Sequence, residues 1–392
     1  MNTIDCYLAL FGVQKPFDFF SEDEIDYMKK ILLLDIEKPQ QSERDEWGNF
    51  NEKNLIGSQS PFLDQFVIDR MKLHGKKIES IWPEKKKFAV CLTHDVDRVE
   101  SYSPKVFKRN IVKRFRNSTD NREKIKLAYD YMKNSIKGLY YCKNSDPIWK
   151  YEEWESIENE FNVKSTYFFF VRPNSKDIQL FDCDFDLFDT FLFKDKFITV
   201  EKYIGYLHLN GFEIGLHGSF KSAVNCETFQ HQKNTIKQII DHPVISTRQH
   251  YLHYSTECTA EIHVKNEILL DSTIGLNKSA GFRVGSAFPY LMETKNGNYC
   301  ELPLIIMDSS ILGNQNLSFE DAKSEIKKII DQVENVGGCL TVNFHLDYVN
   351  NKNYFDLYRY TLEIASSKNA FFGTCQQILN VATDVWNSRG LV

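Results

Sequence analysis

From residue 88 onward, short apolar runs alternate with amphipathic stretches. The runs at 88–93, 165–171, 212–216, 244–248, 267–272, 301–307, 339–345 and 370–374 read as buried strands. Between them, 149–161, 201–210, 228–241, 319–336 and 354–367 read as helices. Strands apolar at nearly every position, separated by helices, predict a parallel sheet covered on both faces. Seven or eight such units predict a closed or nearly closed β/α barrel, whose site sits at the C-terminal ends of the strands. Ahead of this, a helix from Glu22 to Ile36, a polar stretch and a second helix from near Pro61 form an α-rich region. The segment Pro83-Glu-Lys-Lys-Lys87 marks a boundary. The expected organisation is an N-terminal accessory region, 1–85, and a distorted, seven-stranded β/α barrel, 86–392, with a basic helical insertion at about 101–150.

The unusual polar residues fall at the predicted strand ends. The first run ends in Thr93-His-Asp-Val-Asp-Arg-Val99. Residues i and i+2 of a strand point the same way, so Asp95 and Asp97 can face one site. Two carboxylates that close repel unless a cation or base partner divides their roles. Later strands end at His217, at Arg248 and His250, at Asp271, at Asp308 and at His345. Any one of these is more often structural; six strand ends carrying His, Asp or Arg to one face are not explained that way. Aspartate with imidazole suits Zn²⁺ or a similar divalent ion. An Asp, two His and an open position would polarise a carbonyl, leaving the second carboxylate as base and a further His as acid.

Composition narrows the partners. A net charge of −6 argues against a general nucleic-acid binder. Residues 101–140 carry 11 Lys/Arg against 3 Asp/Glu. The segment 105–137 is therefore a solvated basic face or a contact for an anionic substrate or membrane surface. The nine cysteines are scattered singly, which fits reduced thiols and a cytoplasmic chain. Neither a basic, apolar leader nor a 20-residue apolar span is visible, which points the same way.

The order Asp-x-Asp, Gly-x-Glu-Ile-Gly-x-His, an Arg after the fourth strand, an Asp, and a late strand ending in His resembles the polysaccharide deacetylases, the NodB-homology group of carbohydrate esterase family 4. Asp95-Val-Asp97, Arg248-Gln-His-Tyr-Leu252, Gly281-Phe-Arg-Val-Gly-Ser-Ala-Phe-Pro-Tyr290, Arg44-Asp-Glu-Trp-Gly-Asn-Phe50 and Phe62-Leu-Asp64 resemble a bacterial subgroup found with surface-polysaccharide genes. The resemblance implies Asp95 as general base, Asp97 and His217 as metal ligands, Arg248 as the group that orients the base, and His345 as general acid, with Asp271 holding its imidazole. The family's usual second His, four residues after the first, is Lys221 here. His250 is the replacement expected from its place at a strand end, with His94 and His253 as lesser candidates; Lys221 could instead put a cation in the site and mark a metal-poor member.

Other residues keep plainer readings. Phe168–Phe170 and Trp154 are core. Arg283 binds substrate or fixes a loop, Asp308 satisfies a loop, and Tyr251 faces substrate or is buried. The expected activity is a Zn²⁺-dependent N-deacetylase of a glycan or of a nucleotide- or lipid-linked precursor, with a backbone N–H near Tyr251 and the metal facing the oxyanion. The alternative is a degenerate barrel that binds carbohydrate or acts structurally.

Overall fold

The computed structural model describes residues 2–37, 44, 45, 49–55, 57–101, 146–174, 176–179 and 182–391, with 122, 124–126, 129 and 133. The basic insertion and the membrane contact expected at 105–137 otherwise lie outside the described residues. So do the central residues of the 44–50 motif.

The strands are β1 (Ala89–Val96), β2 (Thr166–Phe170), β3 (Thr190–Phe193), β4 (Lys196–Thr199), β5 (Glu213–Gly218), β6 (Ser246–Gln249), β7 (Leu270–Asp271), β8 (Tyr290–Glu293), β9 (Asn298–Glu301), β10 (Ile306–Met307), β11 (Cys339–Asn343) and β12 (Phe371–Gly373). Among the described residues, one sheet runs β10-β11-β1-β2-β5-β6-β7-β9-β8, with β12 on β1. All its pairings are parallel except β8–β9. The sheet curls into a half-barrel: no pairing between β8 and β10 closes it among the described residues. At the open edges, β10 has only two residues and β8 is the antiparallel partner of β9.

β1 is the axis. It is buried along its length and pairs β11 through Ala89–Thr93, β12 through Ala89–Cys91 and β2 through Thr93–Val96. β12 and β2 thus share one edge of β1 end to end. Continuous apolar burial on both faces requires helices outside the sheet. The helices α1 (Thr3–Ala9), α2 (Glu22–Leu32), α3 (Phe62–Leu73), α4 (Glu152–Glu160), α5 (Val200–Leu209), α6 (Cys226–Ile240), α7 (Thr259–Lys265), α8 (Phe319–Val336), α9 (Lys352–Ser367) and α10 (Cys375–Ser388) supply that cover. Their starts are written in the chain: Ser21–Glu24 and Thr374–Gln377 form capping boxes, and Asn225 and Ser318 cap α6 and α8.

The region ahead of β1 shares one core with the barrel, from Ile4 to Trp386. Thr3 Oγ1 donates to the Leu291 carbonyl at 2.8 Å, and Trp386 Nε1 donates to that of Cys6 at 2.9 Å. Two of the recognised motifs form a clasp. Buried Asp64 accepts from Tyr7 Oη at 2.6 Å and from Ser286 Oγ and Ala287 N at 2.7 Å each. Gly285, at φ +65°, lies against the Phe62 ring, where a Cβ would come within 2.2 Å. Arg283 is a loop-fixing residue: it forms a buried pair with Glu37 at 2.8 Å.

Candidate active site

Parallel strands end on one edge, so their terminal residues converge. Register sets the pairs. Thr93 lies level with Asn343 across β1–β11, and His217 lies level with Arg248 across β5–β6. Gly218 permits the second approach: a Cβ there would meet Gln249 Oε1 at 2.2 Å.

Asp95 is held on both oxygens. Oδ1 accepts from Arg248 Nη1 at 3.0 Å and Oδ2 from Asn343 Nδ2 at 2.9 Å, while the Asp95 N–H donates to Asn343 Oδ1 at 3.0 Å. Arg248 is fully buried and is itself fixed by Thr93 Oγ1 at 2.6 Å, by the Ser272 carbonyl and hydroxyl at 2.9 Å, and by the Phe168 ring at 4.7 Å.

Asp97, His217 and His250 form the second group. Asp97 Oδ1 lies 3.3 Å from His217 Nε2 and 3.7 Å from His250 Nδ1, and the two nitrogens are 2.9 Å apart. His217 Nδ1 lies 2.9 Å from the Arg248 carbonyl, where only an N–H can bond, so Nε2 presents its lone pair to the group. Two imidazole nitrogens and a carboxylate oxygen aimed at one another are a donor set that fits a divalent ion. Against the desolvation of burial, His250, His217 and His345 hold the Asp97 carboxyl well below the usual carboxylate range. For His217 burial acts downward instead, but Asp95 and Asp97 outweigh it and raise its pKa. Cys183 adds a donor that the sequence reading missed. Its Sγ, a carboxylate oxygen of Asp97 and a ring nitrogen of His250 lie within 4.8 Å of one another. Nothing in the sequence around a lone Cys on the β2–β3 connection signals this.

Lys221 turns away from the site and pairs with Asp177 at 3.0 Å, so it places no cation there. His94 is core: its nitrogens lie 2.7 Å from the Phe344 carbonyl and 2.8 Å from Glu158. His253 stacks on Phe220 at 3.9 Å and bonds its backbone.

His345 follows β11 and lies on the other side of Asp97, with Nε2 3.8 Å from Asp97 Oδ2. Its holder is Asp308, which corrects the assignment of Asp271. Asp308 Oδ1 accepts from His345 Nδ1 at 2.6 Å. Asp271 sits on β7, whose neighbours are β6 and β9, and is committed to Thr273 at 2.5 Å and His263 at 3.3 Å. β10 pairs with β11, so the residue after β10 reaches the one after β11. Burial would push the His345 imidazole down, but the Asp308 charge and hydrogen bond, with Asp97 and Asp95 behind them, push it up to about 10.

Asp95, Asp97, His217, His250 and His345 line a cleft of about 420 Å³ together with Arg98, Tyr251, Asn277, Lys278, Ser309, Asn314, Asp347 and Tyr348. The turn at Tyr251 has φ +59° and is braced through its carbonyl by Asn49 Nδ2 at 3.0 Å and Asn277 Nδ2 at 2.8 Å.

No family model and no curated protein matches the chain. Solved structures do. A protein assigned as a polysaccharide deacetylase, from Mycobacterium smegmatis, aligns at TM-score 0.50 and 17% identity over 79% of this chain and 94% of its own. The Puue allantoinase aligns at TM-score 0.50 and 12% identity, over 81% and 97%. A further protein assigned as a polysaccharide deacetylase, from Pseudomonas aeruginosa PAO1, aligns at TM-score 0.49 and 10% identity, over 82% and 98%. The chain shares its β/α-barrel fold with the first two of these structures.

Proposed function

We propose that the cleft hydrolyses the N-acetyl amide of a sugar, in a glycan or glycan precursor. The observation that carries this reading is the placement of a held carboxylate and a held imidazole around Asp97. Asp95 lies beside His217, with 4.0 Å between Oδ2 and Nδ1, and His345 faces the Asp97 oxygen opposite the two ligand imidazoles. A general base and a general acid flanking a Lewis-acid position are what amide hydrolysis needs.

Asp97, His217 and His250 would hold the ion, with Zn²⁺ the best match to an N/O donor set. Once bound, it would polarise the amide carbonyl and acidify water. Asp95, oriented by Arg248 and Asn343, takes the proton of the attacking water. His345 keeps Nδ1–H on Asp308 and presents Nε2–H to the cleft. It gives that proton to the nitrogen as the C–N bond breaks, so the products are acetate and an amine. The polar wall formed by Asn277, Ser309, Asn314 and Asp347 suits sugar hydroxyls, and Arg98 and Lys278 suit the phosphate of a nucleotide- or lipid-linked precursor. A cytoplasmic location belongs to the same proposal, supported by the free thiols of the described cysteines.

Acetate release from N-acetylated monosaccharides and their nucleotide-linked forms tests this with Zn²⁺-loaded protein. Release by the wild type that Asp95→Asn and Asp97→Ala abolish supports it. No release from any of them, or equal release by Asp97→Ala, overturns it.

A further inference from the structure

We propose that Cys183 is a thiolate ligand of the same ion, giving this chain an Asp/His/Cys-containing donor set. The inference rests on the metal-holding role proposed for Asp97 and His250. Two observations carry it.

The first is position. Cys183 is buried, at 5% exposure, with its Sγ 3.7 Å from Asp97 Oδ1 and in a common donor group with His250. The second is anchoring. Asp182, its chain neighbour, accepts from Phe220 N at 2.9 Å and from Gln179 N at 2.8 Å, tying the β2–β3 connection to the segment just after β5. Cys183 is thus pinned over the site by contacts independent of its own thiol.

On coordination the thiol proton leaves to solvent and the sulfur lone pair goes to the ion; no oxidant or reductant is involved. A thiolate favours Zn²⁺ and Co²⁺ over Mg²⁺ and Ca²⁺, which prefer oxygen donors. Its sulfur would join Asp97 and His250, the donors it lies among, as a ligand of the ion.

The test is optical and uses the reduced full-length chain titrated with Co²⁺. The wild type should develop visible bands that report binding and a near-ultraviolet thiolate-to-cobalt band. Cys183→Ser should keep the visible bands and lose the near-ultraviolet one. Its Zn²⁺ affinity should fall by at least the ~10-fold that loss of an outer-shell partner costs. Visible bands in the wild type with no thiolate band overturn the inference while leaving the proposed function standing. A thiolate band that persists in Cys183→Ser assigns it to another cysteine and also overturns it. Co²⁺ producing no bands at all overturns this inference and the metal reading of the site together.

Discussion

Asp308 grips His345 at two points, its Oδ1 on the imidazole Nδ1–H at 2.6 Å and its Oδ2 on the backbone N–H at 2.8 Å. The carboxylate is buried and also caps the N–H of Ser309 at 2.5 Å. Ring orientation and proton affinity are therefore set by one residue from the neighbouring strand end.

That grip has a pH signature. His345 is pushed up to about 10, so it keeps its acid proton through neutrality and loses it as pH rises toward that value. A bound ion cancels the contribution of Asp97, and the alkaline limb of kcat/KM should then fall between the ordinary 6.5 and about 10. A basic group whose pKa rises on folding stabilises the native state fully below its unfolded pKa and loses that contribution as pH climbs through the folded one. Asp308→Asn should move the alkaline limb to lower pH and flatten the fall of stability between about 6.5 and about 10. An unmoved limb would show that His345 is not the acid.

Asp95 and Arg248 separate chemistry from stability. Asp95→Asn should lower kcat/KM by ~10²–10⁴ through loss of the base, with Zn²⁺ still bound. Arg248→Ala instead strands a buried carboxylate without its cation and should cost about 3–5 kcal/mol in denaturant unfolding. Arg248→Lys should recover little, because an ammonium cannot serve Thr93, Asp95 and both Ser272 acceptors from one plane.

The Asp64 clasp should behave as structure alone. Asp64→Ala leaves the Ala287 N–H and Ser286 hydroxyl buried and unsatisfied, at about 1–3 kcal/mol each. Thermal unfolding should register the loss. Zn²⁺ affinity at temperatures where the variant stays folded should not change.

Much of this was legible because the site-bearing strands are long apolar runs with chemistry at their ends. β1, β5 and β11 lie within a few residues of expectation, and the sequence alone brought Asp95, Asp97, His217, Arg248, His250 and His345 to one edge. Strand order was not legible. Asp271 and Asp308 both follow apolar runs, and only the β10–β11 pairing decides which reaches His345. The β3–β4 hairpin was missed because it lies outside the main sheet and is partly exposed, which weakens the apolar signal. β8 was missed because its four residues follow the 281–290 loop without a break in composition. Helix α10 starts at Cys375, followed by polar Gln376 and Gln377, and its capping box is visible only once the three-residue strand is known to end just before Thr374.

Lys221→Ala offers a contrast. Its partner is Asp177 and its side chain is 40% exposed, so the change should leave Zn²⁺ affinity and turnover unaltered. A loss of either would return Lys221 to the site.

The central claim is that His250 takes the place of the absent histidine. A Zn²⁺ titration of the wild type and His250→Ala, followed by calorimetry, tests it most directly. The wild type should bind about one Zn²⁺ per chain, one ion for the one donor cluster around Asp97. His250→Ala should bind it at least ~10-fold more weakly. Equal binding by the two proteins would contradict the account.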